Sequence, residues 1–144
     1  MRRILIAHGE AIARRLRADR VRARTVSVKL KLARPLGQGR YPLLSRSFSL
    51  EKATDDGAEI TSTAIRLLDK VPPGDKIRLA GVQVHNLERA SSAQSGLFDP
   101  RLFDESKRSR LNRALDAVTS RFGEEALTRG LARADKIAPS RRIK

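Results

Sequence analysis

Strict alternation is the strongest local signal in the chain. From Arg24 to Leu32, the side chains of Val26, Val28, Leu30 and Leu32 share one side and those of Thr25, Ser27, Lys29 and Lys31 the other. That is the pattern of a half-buried antiparallel strand with a polar, basic outer face. A loop with Pro35, Gly37 and Gly39 follows, and then Leu44, Phe48 and Leu50 alternate with Ser45, Ser47 and Ser49, so the two runs predict a long-looped hairpin. Arg46 falls on the apolar parity, which marks its strand as irregular or close to an edge. Residues 76–87 predict a third strand whose apolar parity slips from Ile77 and Leu79 to Val82 and Val84, and a bulge at Gly81 would absorb the slip.

Helical spacing occurs in three places. Over 4–19, Leu5, Ile12 and Leu16 form one stripe and Arg14, Arg15 and Arg17 crowd the remainder. Thr54, followed by Asp55 and Asp56, reads as an N-cap ahead of Ile60, Ala64, Leu67, Leu68 and Val71, and Pro72-Pro73-Gly74 stops that helix. Residues 88–103 lack periodicity and read as an exposed linker. A last helix over about 105–122 points Leu111, Leu115, Val118 and Phe122 inward and ends at Gly123. The expected fold is therefore α+β, an antiparallel sheet covered on one face by two helices, with a further C-terminal helix and a basic tail. The expected organisation is a folded unit over 1–88, a linker over 89–104, a helix and cap over 105–131, and a disordered tail over 132–144.

Charge changes the picture from fold to partner. The 144 residues carry 31 Lys and Arg against 16 Asp and Glu, a formal net charge of +15. The excess is segregated: residues 1–50 hold 13 basic and 2 acidic residues, 51–105 hold 7 and 10, and 106–144 hold 11 and 4. Such an imbalance repels itself unless a polyanion neutralises it, which points to nucleic acid. A membrane surface fits less well, and so does base stacking on a single strand, because the chain has only Tyr41 and four Phe. The absence of cysteine excludes disulfides and thiolate metal sites, and His8 and His85 are the only imidazoles. No apolar run approaches the roughly 20 residues that span a bilayer, and the basic N-terminus leads into an amphipathic stretch, so a cytoplasmic protein is expected.

Three stretches then carry a resemblance. Arg24-Thr-Val-Ser-Val-Lys-Leu-Lys, Ser45-Arg-Ser-Phe-Ser-Leu and Lys76-Ile-Arg-Leu-Ala-Gly-Val-Gln-Val-His-Asn-Leu87 resemble, in order and spacing, the strand motifs of the C-terminal little-finger domain of Y-family, DNA polymerase IV-like translesion polymerases. The resemblance covers about residues 5–130 and extends to Lys107-Arg-Ser-Arg-Leu-Asn-Arg-Ala-Leu-Asp-Ala-Val118. It implies a non-catalytic domain that grips double-stranded or primer–template DNA through its sheet, in damage tolerance and repair. The family's palm carboxylates, which hold its magnesium ions, have no counterpart here, so no cofactor is expected in this chain. The little finger's first strand is also unmatched, and the sequence reads as a fragment or truncated reading frame with an exposed sheet edge.

Gln94-Ser95-Gly96-Leu97-Phe98 resembles the pentapeptide by which such polymerases dock on the bacterial sliding clamp, Gln and two variable residues before Leu-Phe. A mobile segment with two adjacent apolar anchors suits a preformed pocket. The alternative is that Leu97, Phe98, Leu102 and Phe103 fold back on the core.

The residues expected to contact the DNA backbone are Arg24, Lys29, Lys31, Arg46, Lys76 and Arg78, with Thr25 and Ser27 as hydroxyl partners. Asp55-Asp56, Asp104-Glu105 and Glu124-Glu125 read as helix-start or turn acids rather than a catalytic pair, and no Gly-rich phosphate loop is present. Neither a metal site, a small-molecule substrate nor a membrane is expected. A second reading, an RNA-binding or ribosome-associated basic α+β protein, has no use for Gln94, Leu97 and Phe98. A third, a small enzyme, lacks any visible catalytic constellation.

Overall fold

A computed structural model describes residues 1–37, 39–72, 76–89, 101–123 and 126–127. The element order is α1 (Arg2–Ala18), β1 (Val21–Leu32), β2 (Leu43–Thr54), α2 (Gly57–Asp69), β3 (Ile77–Arg89) and α3 (Arg101–Phe122). The strands form one antiparallel sheet in the order β2-β1-β3, so the strand with the cleanest alternation is the central one. This is the expected α+β architecture. Among the described residues β2 and β3 are each paired along one side only.

The core lies between the sheet and the pair α1 and α2. Val26, Val28 and Leu30 from β1 meet Leu5, Ala13 and Leu16 from α1 and Ile60, Ala64 and Leu67 from α2, all fully or nearly buried. Each Val, Leu or Ile side chain among these contributes about 1.5–3 kcal/mol on leaving water, which makes this layer the main stabilising contact. The two helices approach closely because Gly9 faces Thr61: a methyl at Gly9 would overlap Thr61 Oγ1 and stand 3.3 Å from its Cβ. Gly57, likewise, sits against the carboxylate of Glu10.

Three expectations are corrected in detail. The cap of α2 is Asp56, whose side chain accepts from Ala58 N–H at 3.1 Å, while Thr54 Oγ1 accepts from the N–H of Asp56 at 3.2 Å. The parity slip in β3 occurs at Arg78, not at Gly81: Lys31 opposes Leu79 but Leu32 opposes Ile77, leaving Arg78 as the extra residue. Ala80, Val82 and Val84 thus face the helices, and Leu79 turns to the open side, 60% exposed. The third correction concerns α3, which begins at Arg101 and does not dock through Leu111 and Phe122, exposed by 53% and 67%. Among its described residues Asn112 is the buried one, at 2%, with Leu115 and Val118 half-buried.

The alternation expected from Arg24 to Leu32 holds, but β1 starts earlier, at Val21, and Val21 and Ala23 pack on the core ahead of that run, so parity shifts once before it. At that point β1 passes from Ala23 opposite Thr54 to Thr25 opposite Ser49, which bulges Leu50–Ala53 out of β2. On the other side Asn86 adopts a left-handed backbone, φ 53°, and donates from Nδ2 to Thr25 Oγ1 at 3.0 Å. Asn tolerates that conformation better than most residues do.

Candidate nucleic-acid interface

The face of the sheet turned away from α1 and α2 is built of cross-strand rows. Thr25 stands between Ser49 and His85, Ser27 between Ser47 and Gln83, Lys29 between Ser45 and Gly81, and Lys31 between Leu43 and Leu79. Because a strand alternates its side chains, the residues that complete the core on one side leave this polar set on the other. One end of the face is hydroxyl, amide and imidazole; the other is cationic with two exposed leucines.

The expected contact residues separate into groups on this frame. Lys29 and Lys31 are on the open face, and Gly81 leaves a notch beside Lys29, with no atom within 4 Å of where a Cβ would stand. Arg78 joins them through Tyr41: its guanidinium carbon is 4.5 Å from the ring centroid and Lys31 Nζ is 5.5 Å from it. Stacking on one ring holds both cations at the same corner. Lys76 is exposed just ahead of β3, where its carbonyl accepts from Ala33 N–H at 2.6 Å.

Thr25 and Ser27 face the right way but are deep between the flanking strands, 8% and 5% exposed. The Thr25 hydroxyl is also engaged with Ser49 Oγ at 3.0 Å. The accessible hydroxyls are those of Ser45, Ser47 and Ser49 on the edge strand, which the sequence reading did not select. Their alternation was visible, and Arg46 already marked the strand as irregular or close to an edge, which is where β2 lies.

Arg24 and Arg46 do not belong to the open face. Arg24 closes the bulge in β2, with guanidinium nitrogens donating to Leu50 O at 3.4 Å and Glu51 O at 3.2 Å, and pairs with Glu88 at 3.5 Å. Arg46 opposes Val28, on the parity that the helices cover. It is exposed, as is Phe48 two residues on, 45% exposed beneath Arg66 of α2. Gln94, Ser95, Gly96, Leu97 and Phe98 lie outside the described residues, as do Glu124, Glu125 and the tail from residue 132.

A second polar assembly holds α3. Arg17 grips Asp116 with two nitrogens, at 2.6 and 2.7 Å, and donates a third hydrogen bond to Asp55 O at 2.7 Å. Asp56 accepts from Asn112 Nδ2 at 3.4 Å and pairs with Arg108 at 3.6 Å. Burial alone would lower the Arg17 pKa, but hydrogen bonding and charge attraction from Asp116, with Asp55 and Glu10 beyond it, outweigh that, so it is raised. The acids Asp55 and Asp56 are thus committed to capping and docking. Among the described residues no group of three or more metal-ligating side chains comes together, and no helix is long and apolar enough to cross a membrane.

The C-terminal domain of the impB/mucB/samB family matches residues 1–97, which contain the whole sheet and both covering helices. The chain belongs to this family. It is the C-terminal domain of Y-family polymerases. Relatives named DNA polymerase IV extend the likeness into α3: that of Desulfatibacillum aliphaticivorans is 41% identical over 116 residues, 79% of this chain and 28% of the relative. That of Moorella thermoacetica is 31% identical over 130 residues, 90% of this chain and 30% of the relative. The chain therefore spans under a third of the length of these curated relatives.

Proposed function

We propose that this family member is a non-catalytic DNA-gripping and clamp-docking domain of a Y-family translesion polymerase, acting in the cytoplasm in damage tolerance and repair. The observation that carries the DNA part is the open sheet face, where Lys29, Lys31 and Arg78 lie alongside the exposed hydroxyls of Ser45, Ser47 and Ser49. Flexible cations and short hydroxyls contact phosphate oxygens without reading base sequence, so the grip would be electrostatic and nearly sequence-independent. The names of the relatives support DNA as the partner. Arg24 and Arg46 drop out of the set, the first because it is tied to β2 and the second because it faces the other way.

The test is an anisotropy titration of a labelled duplex at several salt concentrations. Each phosphate contact contributes about 0.9 to the slope of log affinity against log salt. Lys29→Gln with Lys31→Gln is expected to make that slope shallower by about 1.8 on the same basis. An unchanged slope would remove the sheet face from the interface.

Clamp docking rests on Gln94-Ser95-Gly96-Leu97-Phe98 alone. Titration against a bacterial sliding clamp should show saturable binding that Leu97→Ala with Phe98→Ala abolishes. Binding that survives the double substitution, or no binding at all, would remove the pentapeptide from the account.

A further inference from the structure

The sheet face uses only a small part of the positive charge. α1 carries Arg2, Arg3, Arg14, Arg15 and Arg17 against Glu10, and residues 107–122 of α3 carry Lys107, Arg108, Arg110, Arg113 and Arg121 against Asp116. The second group lies beyond the 97 residues that the family domain covers. The Arg17–Asp116 pair joins the two cationic helices. Between them is an open cleft of about 570 Å³ lined by Arg14, Arg17, Arg113, Asp116, Thr119 and Ser120.

Three guanidinium groups against one carboxylate leave this cleft cationic, and two hydroxyls supply further donors. Arg110 extends the row, because residues three apart share a helix face. Guanidinium forks match the paired oxygens of a phosphodiester, and a row of them suits a polymer better than a single small anion. The cleft is on the helical side of the molecule, away from Lys29 and Lys31.

We infer that the α1–α3 cleft is a second nucleic-acid contact, binding the phosphodiester backbone through Arg14 and Arg113 while Arg17 holds the two helices together. A chain with two such surfaces can engage DNA on the sheet and a further stretch of backbone on the helices. The inference goes beyond the sheet grip and does not depend on it.

The experiment measures the salt dependence of duplex binding by the full chain carrying Arg14→Gln and Arg113→Gln, with the fold checked by circular dichroism. A slope shallower by about 1.8 than wild type is expected, two contacts at about 0.9 each. A control with Arg3→Gln and Lys70→Gln removes the same charge elsewhere and should change the slope by less than half as much. An unchanged slope in the cleft variant, or an equal change in the control, overturns the cleft as a site. Should the double variant not fold, Arg113→Gln alone is read the same way, with an expected change of about 0.9. The Lys29 and Lys31 variant is scored separately, so failure of the sheet grip and failure of the cleft are distinct results.

Discussion

Asp116→Ala should release α3 while leaving the sheet and its two covering helices folded. Among the described residues the helix is tied by three polar contacts, of which the Arg17–Asp116 pair is the shortest, with side chains 12% and 27% exposed. Exposed ion pairs contribute about 0.2–1 kcal/mol, and breaking a fully buried one costs about 3–5 kcal/mol. A two-pronged pair at this intermediate exposure, with Arg17 still donating to Asp55 O, should cost about 2 kcal/mol to break. Since about 1.4 kcal/mol is tenfold in an equilibrium constant, the opening of α3 should become about 30-fold more frequent. Hydrogen exchange reads this by region: amides from Arg113 to Phe122 should lose about that factor in protection, while Val26, Val28 and Leu30 keep theirs. Equal losses in α3 and β1 would mean that α3 belongs to the cooperative core, and no loss in either would mean that the pair contributes nothing.

Three further perturbations test the packing. Gly9→Ala should destabilise the domain by about 1 kcal/mol, because overpacking against Thr61 outweighs the helix-propensity gain, and the cost should fall sharply in a Thr61→Ala background; urea midpoints in the four combinations measure the coupling. Arg20 follows the end of α1 with φ 53°, so Arg20→Gly should raise the melting temperature by about 2 °C in a thermal scan. The Arg17 pKa is raised on folding, so its contribution is complete below the unfolded value and is lost only as pH climbs through the still higher folded one. The stability difference between wild type and Asp116→Ala should therefore stay constant from roughly pH 7 to 10, below the arginine range; a decline across that interval in denaturant titrations would contradict the assignment.

The parts of the fold that were legible are those in which one strand or helix face decides its own burial. β1 could be read because it is central: both neighbours press Val26, Val28 and Leu30 toward the helices, and the alternation has no competing use. β2 was ambiguous at Arg46 because an edge strand tolerates a cation on its covered side, and only pairing reveals which strand is the edge. In β3 the slip was visible but its place was not, since Gly81 is the conventional site for a bulge and Arg78 is held there instead by the Tyr41 ring. Tyr41 itself obeys no spacing rule, being a loop residue that matters because two strands deliver cations to it.

α3 shows why charge had to be located before it could be interpreted. Leu111, Leu115, Val118 and Phe122 have the spacing of a buried stripe, yet only Leu115 and Val118 are half-buried, and the helix is tied through Arg108, Asn112 and Asp116, which recur every four residues and share a face equally well. Periodicity weighs apolar residues as the inward ones, and that weighting fails when the docking surface is itself polar, here Arg17 with Asp55 and Asp56 at the start of α2. The same arrangement explains the segregation of charge along the chain. The acids of residues 51–105 include Asp55 and Asp56, which hold Arg17 and Arg108 in place, so α1 and the described part of α3 are tied together on the helical side of the molecule. A count along the sequence records two separate basic stretches; folding turns α1 and α3 into the two walls of one cleft.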